Sequence, residues 1–582
     1  MRRPGGASMR RSGHPVSAWH WRRVLVLTVV LSGLAGLAGR AFYLQVIDRP
    51  FLLRQGRARE VRVIERSSHR GMILDRHGSP LAISTPVDSV WAVPQQLRFS
   101  RAAWPALAQV LGVPVSQIEN EVADAGKGRF IYLAREVSPD RAARAMALGI
   151  PGVALQREYR RYYPSGPIAC QVVGVTNIDD QGQSGLELAY NSWLRARPGK
   201  VLVLKDGRGQ VIDEVGRLQA PKPGRNLVTS LDARIQYIAY RALKHAIRVH
   251  DARSGSVVVL NARTGEVLAL VNAPTFNPNR RSDRIPRLMT DRAVTDVFEP
   301  GSSLKPFTIA VALGTGRYTP RTLIPTSPGS VQIGPDVIRD TADFGLLTVA
   351  GVVEKSSNVG ASKIALTLRR RDMYHMFRSV GFGSPTGAGL PGESLGLLSL
   401  PETWVPVRQA TLSFGYGIAV TPMQLARAYT AIANHGVLLP LTLLRRDTPP
   451  PGRRVMSARI AGELVRMLEM AASPNGTAPT ADIPNYEVAG KTGTAHKADS
   501  AGYHRHEYVA SFAGFAPASD PALITIVMVN DPRRDGYYGA EVAAPVFRRV
   551  MSAALRLLNI RPDAPPPQTP LLARATADRW GA

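Results

Sequence analysis

One apolar run near the start dominates what this chain can become. Residues 24–39 read VLVLTVVLSGLAGLAG, a single Arg40 follows, and residues 41–47 (AFYLQVI) resume the apolar character. Together they are long enough to cross roughly 30 Å of hydrocarbon as one helix. Arg40 lies towards the far end of the run, where a long side chain reaches the interface. Phe42 and Tyr43 fall where an aromatic belt is expected. Ahead of the run stand Arg2, Arg3, Arg10, Arg11, Arg22 and Arg23, and no acid occurs before Asp48. That asymmetry puts residues 1–23 in the cytoplasm and the bulk of the chain outside it. A cleaved signal peptide competes, because Gly36-Leu37-Ala38 has the small-x-small form of a cleavage site; the apolar pattern continuing past it favours an uncleaved anchor over residues 24–47. No other stretch is long enough to span, so a single-pass protein is expected.

The 582 residues leave room for three or four folding units, and 45% hydrophobic residues exclude wholesale disorder. Cys170 is the only cysteine, which excludes an intrachain disulfide and cysteine-rich zinc sites. Lys and Arg outnumber Asp and Glu by 73 to 44, a net charge of +29 that invites a nucleic-acid reading. The arginines are spread along the whole chain, and no zinc-finger, basic-zipper or RNA-recognition pattern accompanies them. The expected surroundings are anionic lipid or another anionic polymer, not nucleic acid.

Past the anchor, residues 62–93 read as short strands around a turn at His77-Gly78. Residues 102–148 read as amphipathic helices, and 157–166 as a basic, aromatic stretch ending in a turn. Pro221-Lys222-Pro223-Gly224 is the strongest internal boundary. Beyond it, residues 232–249 carry helical periodicity, and the β-branched runs 256–260 and 267–271 form a hairpin through 261–265. A mostly helical middle follows, including 421–434, and then strands over 486–489, 508–516 and 523–529 and a helix over 545–558. Two strands, a helical middle, three strands and a helix predict an α+β domain, one antiparallel sheet with helices on both faces. The expected organisation is a leader (1–23), an anchor (24–47), a mixed α/β unit (48–222), the sheet-and-helix domain (223–560) and a Pro-rich tail (561–582).

Three short elements carry chemistry. Ser302 and Lys305 stand three apart in EPGSSLKPF (299–307), so on a helix the lysine reaches the serine hydroxyl. Pro306 puts Ser302 at the first turn, where free N–H groups favour a developing anion. A serine needs an adjacent base to become a nucleophile, and a desolvated lysine supplies one. Alone, the pair is also what a surface serine beside a solvated lysine looks like. Ser356-Ser357-Asn358 offers a hydroxyl at Ser356 to relay a proton and an amide at Asn358 to grip a lysine and a carbonyl; alone, it reads as a helix cap. Lys491-Thr492-Gly493-Thr494 offers charge, close backbone approach at Gly493, and two hydroxyls suited to a carboxylate. A phosphate loop is the rival for this third element, but Asn485 occupies the position of its leading glycine. His496, His504 and His506 follow; a metal site is conceivable, and decoration of an exposed loop between strands is favoured.

In this order the elements match the serine β-lactamases and penicillin-binding proteins. The chain resembles class B penicillin-binding proteins, and the division-type members above all. Residues 39–41 and 44–46 at the anchor, 70–76 (RGMILDR), 161–166 (RYYPSG), 295–306 (TDVFEPGSSLKP), 355–360 (KSSNVG), 413–417 (SFGYG) and 537–539 (YYG) carry the resemblance. It implies a penicillin-binding, serine β-lactamase-like transpeptidase domain with a five-stranded antiparallel sheet, on a pedestal of the dimerisation type. It also implies an acyl-serine mechanism in which Ser302 attacks the penultimate D-Ala carbonyl of a peptidoglycan stem peptide and Lys305 takes its proton. Ser356 and Asn358 would relay protons and orient lysine and peptide. Lys491, Thr492, Gly493 and Thr494 would hold the terminal carboxylate, with the N–H groups of Ser302 and Thr494 as oxyanion hole. No cofactor or metal is implied. β-Lactams would acylate Ser302. The implied partners are a glycosyltransferase of the FtsW type and other divisome membrane proteins, in the bacterial inner membrane at the septum, with the catalytic domain periplasmic. Residues near Arg23, Arg40 and 70–75 are candidates for those contacts.

A class A β-lactamase needs a Glu-x-x-Leu-Asn element to drive water onto the ester, and none lies between the second and third motifs. A D-Ala carboxypeptidase, an elongation transpeptidase and a non-catalytic penicillin-binding scaffold remain as alternatives.

Overall fold

The computed structural model describes residues 17–52, 61–125, 130–205, 211–499 and 502–564. Most of the leader and the tail from residue 565 therefore lie outside the described residues. Helix α1 (Ser17–Phe42) runs on through a π-type turn (Tyr43–Ile47), and among the described residues this is the one helix long and apolar enough to cross a membrane. Its apolar side chains are left uncovered by the described residues: Val24, Val29 and Leu37 are all more than 60% exposed.

The next unit is built on two sheets. Strands Val61–Arg66, Gly199–Lys205 and Val211–Gln219 form an antiparallel three-stranded sheet with Gly199–Lys205 in the middle. The second sheet is organised by the long strand Pro80–Ala92, which pairs with Ile73–Leu74, Ile131–Val137 and Val153–Tyr162. Leu227–Val228, beyond the Pro-rich punctuation, returns to pair parallel with Ile73–Leu74. Helices Trp104–Leu111, Val115–Asp124 and Pro139–Ala147 close a core around Val90, Leu107, Ile118 and Leu133. Strand Ile131–Val137 corrects the all-helical expectation for 102–148. Its inward residues Ile131, Leu133 and Val137 keep the two-residue spacing of a strand, a pattern too short to stand out between helices. Likewise 157–162 belongs to strand Val153–Tyr162.

Beneath this unit lies a buried ionic cluster. Glu187 accepts from Arg70 Nε at 2.7 Å and from Arg161 Nε at 2.6 Å, and all three side chains are essentially unexposed. Arg70 also donates to the Asp180 and Glu187 carbonyls and to Asn191 Oδ1. Each charge is tolerable there only because the others are present.

The transpeptidase-like domain is a five-stranded antiparallel sheet. Its strands are β1 (Ser254–Asn261), β2 (Val267–Ala273), β3 (Ala489–Asp499), β4 (Gly502–Ala516) and β5 (Leu523–Asn530), in spatial order β2-β1-β5-β4-β3. β1 is covered on both faces, which is why it reads as an unbroken apolar run and not an alternating one. Val257 and Val259 face α2 (Ala233–Val249) and α7 (Ala544–Leu557); Val258 and Leu260 face the helical region containing α3 (Lys305–Gly314), α4 (Asn358–Leu366), α5 (Pro422–Ala433) and α6 (Ala458–Ala472). The sheet sandwiched between helices bears out the α+β expectation. One boundary differs: β3 begins at Ala489, where the sequence-based strand 486–489 ends, so the third motif lies on the strand itself. Gly490, Lys491 and Gly493 have poor intrinsic strand preference, and pairing with β4 overrides it.

The two units meet at the N-terminus of α2. Asp232 caps that helix through the Arg234 N–H (3.0 Å) and holds His77 Nε2 at 3.0 Å, while Asp75 from the same turn as His77 accepts from the Ala233 N–H at 3.3 Å. The Arg234 contacts hold the Asp232 carboxyl down at about 2 against the opposing effect of its burial.

Glu187→Gln should leave two buried guanidinium groups without their anion, costing about 3–5 kcal/mol. Differential scanning calorimetry should show an earlier transition for the first unit; an unchanged thermogram would contradict this reading of the cluster.

Candidate active site

Ser302 lies in a short 3-10 turn (Gly301–Leu304) that runs directly into α3, with Lys305 at the junction and Pro306 in the helix's first turn. Lys305 is fully buried, and its Nζ lies 2.8 Å from Ser302 Oγ, 2.6 Å from the Ser356 carbonyl, 2.8 Å from Asn358 Oδ1 and 3.2 Å from Ser356 Oγ. The inventory of these neighbours matters. The Ser356 carbonyl and Asn358 Oδ1 can only accept, so they take two N–H groups from the lysine. A neutral amine then has one lone pair left, within reach of the Ser302 hydroxyl at 2.8 Å and the Ser356 hydroxyl at 3.2 Å. Burial first, and the nearby Lys491 charge second, push Lys305 well below the ordinary lysine range, with Asp340 partly offsetting them. The arrangement can therefore lift the Ser302 proton.

The second element is held by a residue that sequence reasoning missed. Asp340, at the end of the hairpin Ser330–Ile333/Asp336–Arg339, accepts from Ser357 Oγ and the Asn358 N–H, both at 2.5 Å, and from the Val359 N–H at 3.0 Å. A carboxylate at the N-terminus of α4 suits the helix dipole, and it fixes the turn that presents Ser356 and Asn358. Ser356 has a left-handed backbone (φ +61°), which brings both its carbonyl and its hydroxyl to Lys305.

The third element sits on β3. Lys491 is fully buried, and burial lowers it to about 7. Its Nζ lies 3.2 Å from Thr492 Oγ1 and 3.2 Å from Thr477 Oγ1, a second residue missed from sequence. Thr494 Oγ1 accepts from the Gly539 N–H at 3.0 Å, leaving its own hydroxyl proton to donate. Gly493 is required by close approach: a Cβ there would fall 2.3 Å from Ser511 Oγ and 2.4 Å from the Pro300 carbonyl. A Cβ on Gly301 would lie 3.2 Å from the Thr494 carbonyl, so the serine turn and β3 nearly touch. All eight residues singled out from sequence thus gather at one seam between the helical region and the sheet.

An aromatic wall flanks the seam. Tyr508 stacks on Tyr537 (4.1 Å) and Tyr537 on Tyr538 (4.4 Å), and the Tyr416 hydroxyl accepts from the His496 N–H at 3.2 Å. Glu299, its carboxyl raised by burial, accepts from the Gly417 N–H at 2.7 Å and the Tyr503 hydroxyl at 3.0 Å. The stretches YYG and SFGYG marked these places by resemblance only. His496, His504 and His506 are not in a loop, as expected, but on the β3–β4 hairpin, where the His496 ring packs 4.7 Å from Tyr508.

Residues 255–552 match the family model of the penicillin binding protein transpeptidase domain, and residues 65–229 that of the penicillin-binding protein dimerisation domain. The chain belongs to the class B penicillin-binding proteins, which join these two domains. It is 42% identical over 549 residues to the peptidoglycan D,D-transpeptidase FtsI of Escherichia coli, covering 94% of this chain and 93% of that one. It is 40% identical over 544 residues to a protein of Pseudomonas aeruginosa named as probable peptidoglycan D,D-transpeptidase PbpC, covering 94% and 96%. The solved apo transpeptidase domain of Burkholderia pseudomallei penicillin-binding protein 3 superposes with a TM-score of 0.54 at 43% identity, over 58% of this chain and 98% of that one.

Gly493→Ala should push β3 from the serine turn by about 1 Å and slow acylation by a penicillin by about a hundredfold. Stopped-flow acylation by a fluorescent penicillin checks it; a rate within threefold of wild type would show that the close approach is dispensable.

Proposed function

We propose that this protein is a peptidoglycan D,D-transpeptidase that cross-links stem peptides at the division septum. The observation that carries the reading is the hydrogen-bond inventory of Lys305, whose two acceptor-only neighbours leave a lone pair for the Ser302 proton. Ser302 Oγ attacks the penultimate D-Ala carbonyl as Lys305 Nζ takes its proton. The tetrahedral oxyanion sits between the N–H groups of Ser302 and Thr494, where such donors contribute about 3–4 kcal/mol to lowering the barrier. Ser356 and Asn358 keep Lys305 oriented, and the Ser356 hydroxyl passes the proton from Lys305 to the departing D-Ala nitrogen. Lys491, Thr492 and Thr494 hold the terminal carboxylate, with Gly493 allowing β3 to come close. An amine of a neighbouring strand then resolves the ester, forming the cross-link and regenerating Ser302. A β-lactam, which carries a carboxylate and a strained amide, acylates the same serine. The chemistry requires no metal or cofactor.

The organisation follows the same reading: leader 1–23 in the cytoplasm, anchor 24–47 in the inner membrane, pedestal 48–222, transpeptidase domain 223–560 in the periplasm, and tail 561–582. The septal role is supported by the likeness to FtsI over nearly the whole chain. In that setting the pedestal and anchor meet an FtsW-type glycosyltransferase and other divisome proteins. An elongation transpeptidase would share the chemistry and differ in localisation, along the side wall and not at midcell.

Intact-mass measurement after benzylpenicillin should show one stable adduct mapping to Ser302, and none in Ser302→Ala. An adduct surviving in Ser302→Ala, or absent from folded wild type, would overturn the assignment. Ser302→Ala should also fail to rescue a strain depleted of its division transpeptidase; rescue would favour the scaffold alternative.

A further inference from the structure

Lys355 stands immediately before the second motif and caps the C-terminus of helix Val349–Glu354. The left-handed turn at Ser356 sends these neighbours in different directions. Ser356 meets Lys305, while Lys355 Nζ reaches the Asn475 carbonyl at 2.8 Å, with Glu354 Oε1 at 3.1 Å as its second partner. Asn475 lies in the turn after α6 on the way to β3. The ammonium therefore sits between the C-terminal ends of two helices, where carbonyl groups point outwards and positive charge is favoured.

The turn itself is tight. The Gly476 N–H donates to the Ser473 carbonyl at 2.9 Å and the Ala478 N–H to the Ala471 carbonyl at 3.1 Å. A Cβ on Gly476 would fall 2.3 Å from the Met470 carbonyl. Two residues beyond Asn475, Thr477 Oγ1 lies 3.2 Å from Lys491 Nζ and 3.4 Å from Thr492 Oγ1. Among the described residues, the hydrogen bonds of Lys491 Nζ go to Thr477 and Thr492 alone. One cation on the helical wall thus ties down the turn whose hydroxyl partners the buried amine of the opposite wall.

We infer that Lys355 is a positioning residue for the carboxylate pocket: acting through the 475–477 turn, it fixes where Lys491 and Thr492 meet the terminal carboxylate of the substrate. The inference rests on the reading above, in which Ser302 is acylated and β3 binds that carboxylate. Among the described residues Lys305 makes no hydrogen bond to the turn, so the direct effect of Lys355 falls on the carboxylate pocket, and bond-making is reached only through the charge of Lys491. Freed from the one charged tether it has among the described residues, the turn spreads over more positions, and the pocket loses the preorganisation that binding exploits.

The test is benzylpenicillin acylation of the full-length protein in detergent, resolved into the dissociation constant of the initial complex and the limiting acylation rate. Lys355→Met should weaken the initial complex about tenfold and leave the limiting rate within about twofold, with unfolding temperature unchanged. Lys355→Arg should restore most of the affinity. Thr477→Val should reproduce the loss, and the double variant should be no worse than either single one, because the two act in series. An unchanged dissociation constant in Lys355→Met, a loss confined to the limiting rate, or additive losses would overturn the inference. Should Lys355→Met fail to fold, Thr477→Val carries the test: weakened initial binding supports the inference and unchanged binding overturns it. Ser302→Ala separates the two levels. An adduct persisting there defeats the underlying reading, whereas a Ser302 adduct with unaltered affinity in Lys355→Met defeats this inference alone.

Discussion

Two lysine amines with no exposed surface, Lys305 and Lys491, are packed into the seam where the helical region meets the sheet. An ammonium taken out of water is costly, and two of the same sign near one another are costlier. The fold accommodates them by lowering both below the ordinary lysine range and by surrounding each with groups that suit its form. Lys305 receives two carbonyl-type acceptors and two serine hydroxyls; Lys491 receives two threonine hydroxyls. That constraint explains the glycines at the seam. Gly493 lets β3 approach the serine turn until an added methyl group would collide with the Pro300 carbonyl, and a Cβ on Gly301 would make a tight 3.2 Å contact with the Thr494 carbonyl.

Much else serves to keep the seam shut. Asp340 draws the second motif inwards, and Glu299 ties the Gly417 loop and the β3–β4 hairpin, through Tyr503, to the residues just before Ser302. The pedestal reaches the domain in part through Asp75, His77 and Asp232 at the head of α2, a helix packed on the sheet face opposite Ser302. The pedestal also packs against the serine side of the sheet, where Gln171 donates to the Pro274 and Leu288 carbonyls and Arg284 donates to the Thr176 carbonyl.

The legible parts of the sequence were those with local causes. Ser302 and Lys305 are one helical turn apart, so their meeting follows from spacing. The hairpin of β1 and β2 announces itself because both strands are β-branched and buried on two faces. The strand Ile131–Val137 was hidden by its shortness, and the start of β3 by residues that prefer other conformations and are held extended by β4. Asp340 and Thr477 could not be read at all. Nothing in their neighbourhoods sets them apart, and each acts only where the chain returns from a distance to meet a motif. The carbonyl of Ser356 was likewise invisible, since a backbone group has no letter in the sequence.

Whether Lys305 acts as a neutral base beside a charged Lys491 is tested most directly by the pH dependence of the second-order acylation rate. This rate reports the unbound enzyme. A lowered lysine is neutral above its own pKa, so the rate should climb on the acid side and level off well below the usual lysine value of about 10.4. Lys491 carries its charge only below about 7, so the rate should fall again above neutrality as the carboxylate loses its counter-charge. In Lys491→Arg, which cannot discharge, that alkaline fall should vanish. A rate that rises without a break through pH 10 in the wild type would mean that Lys305 is an ordinary charged lysine, and the mechanism built on its lone pair would be wrong.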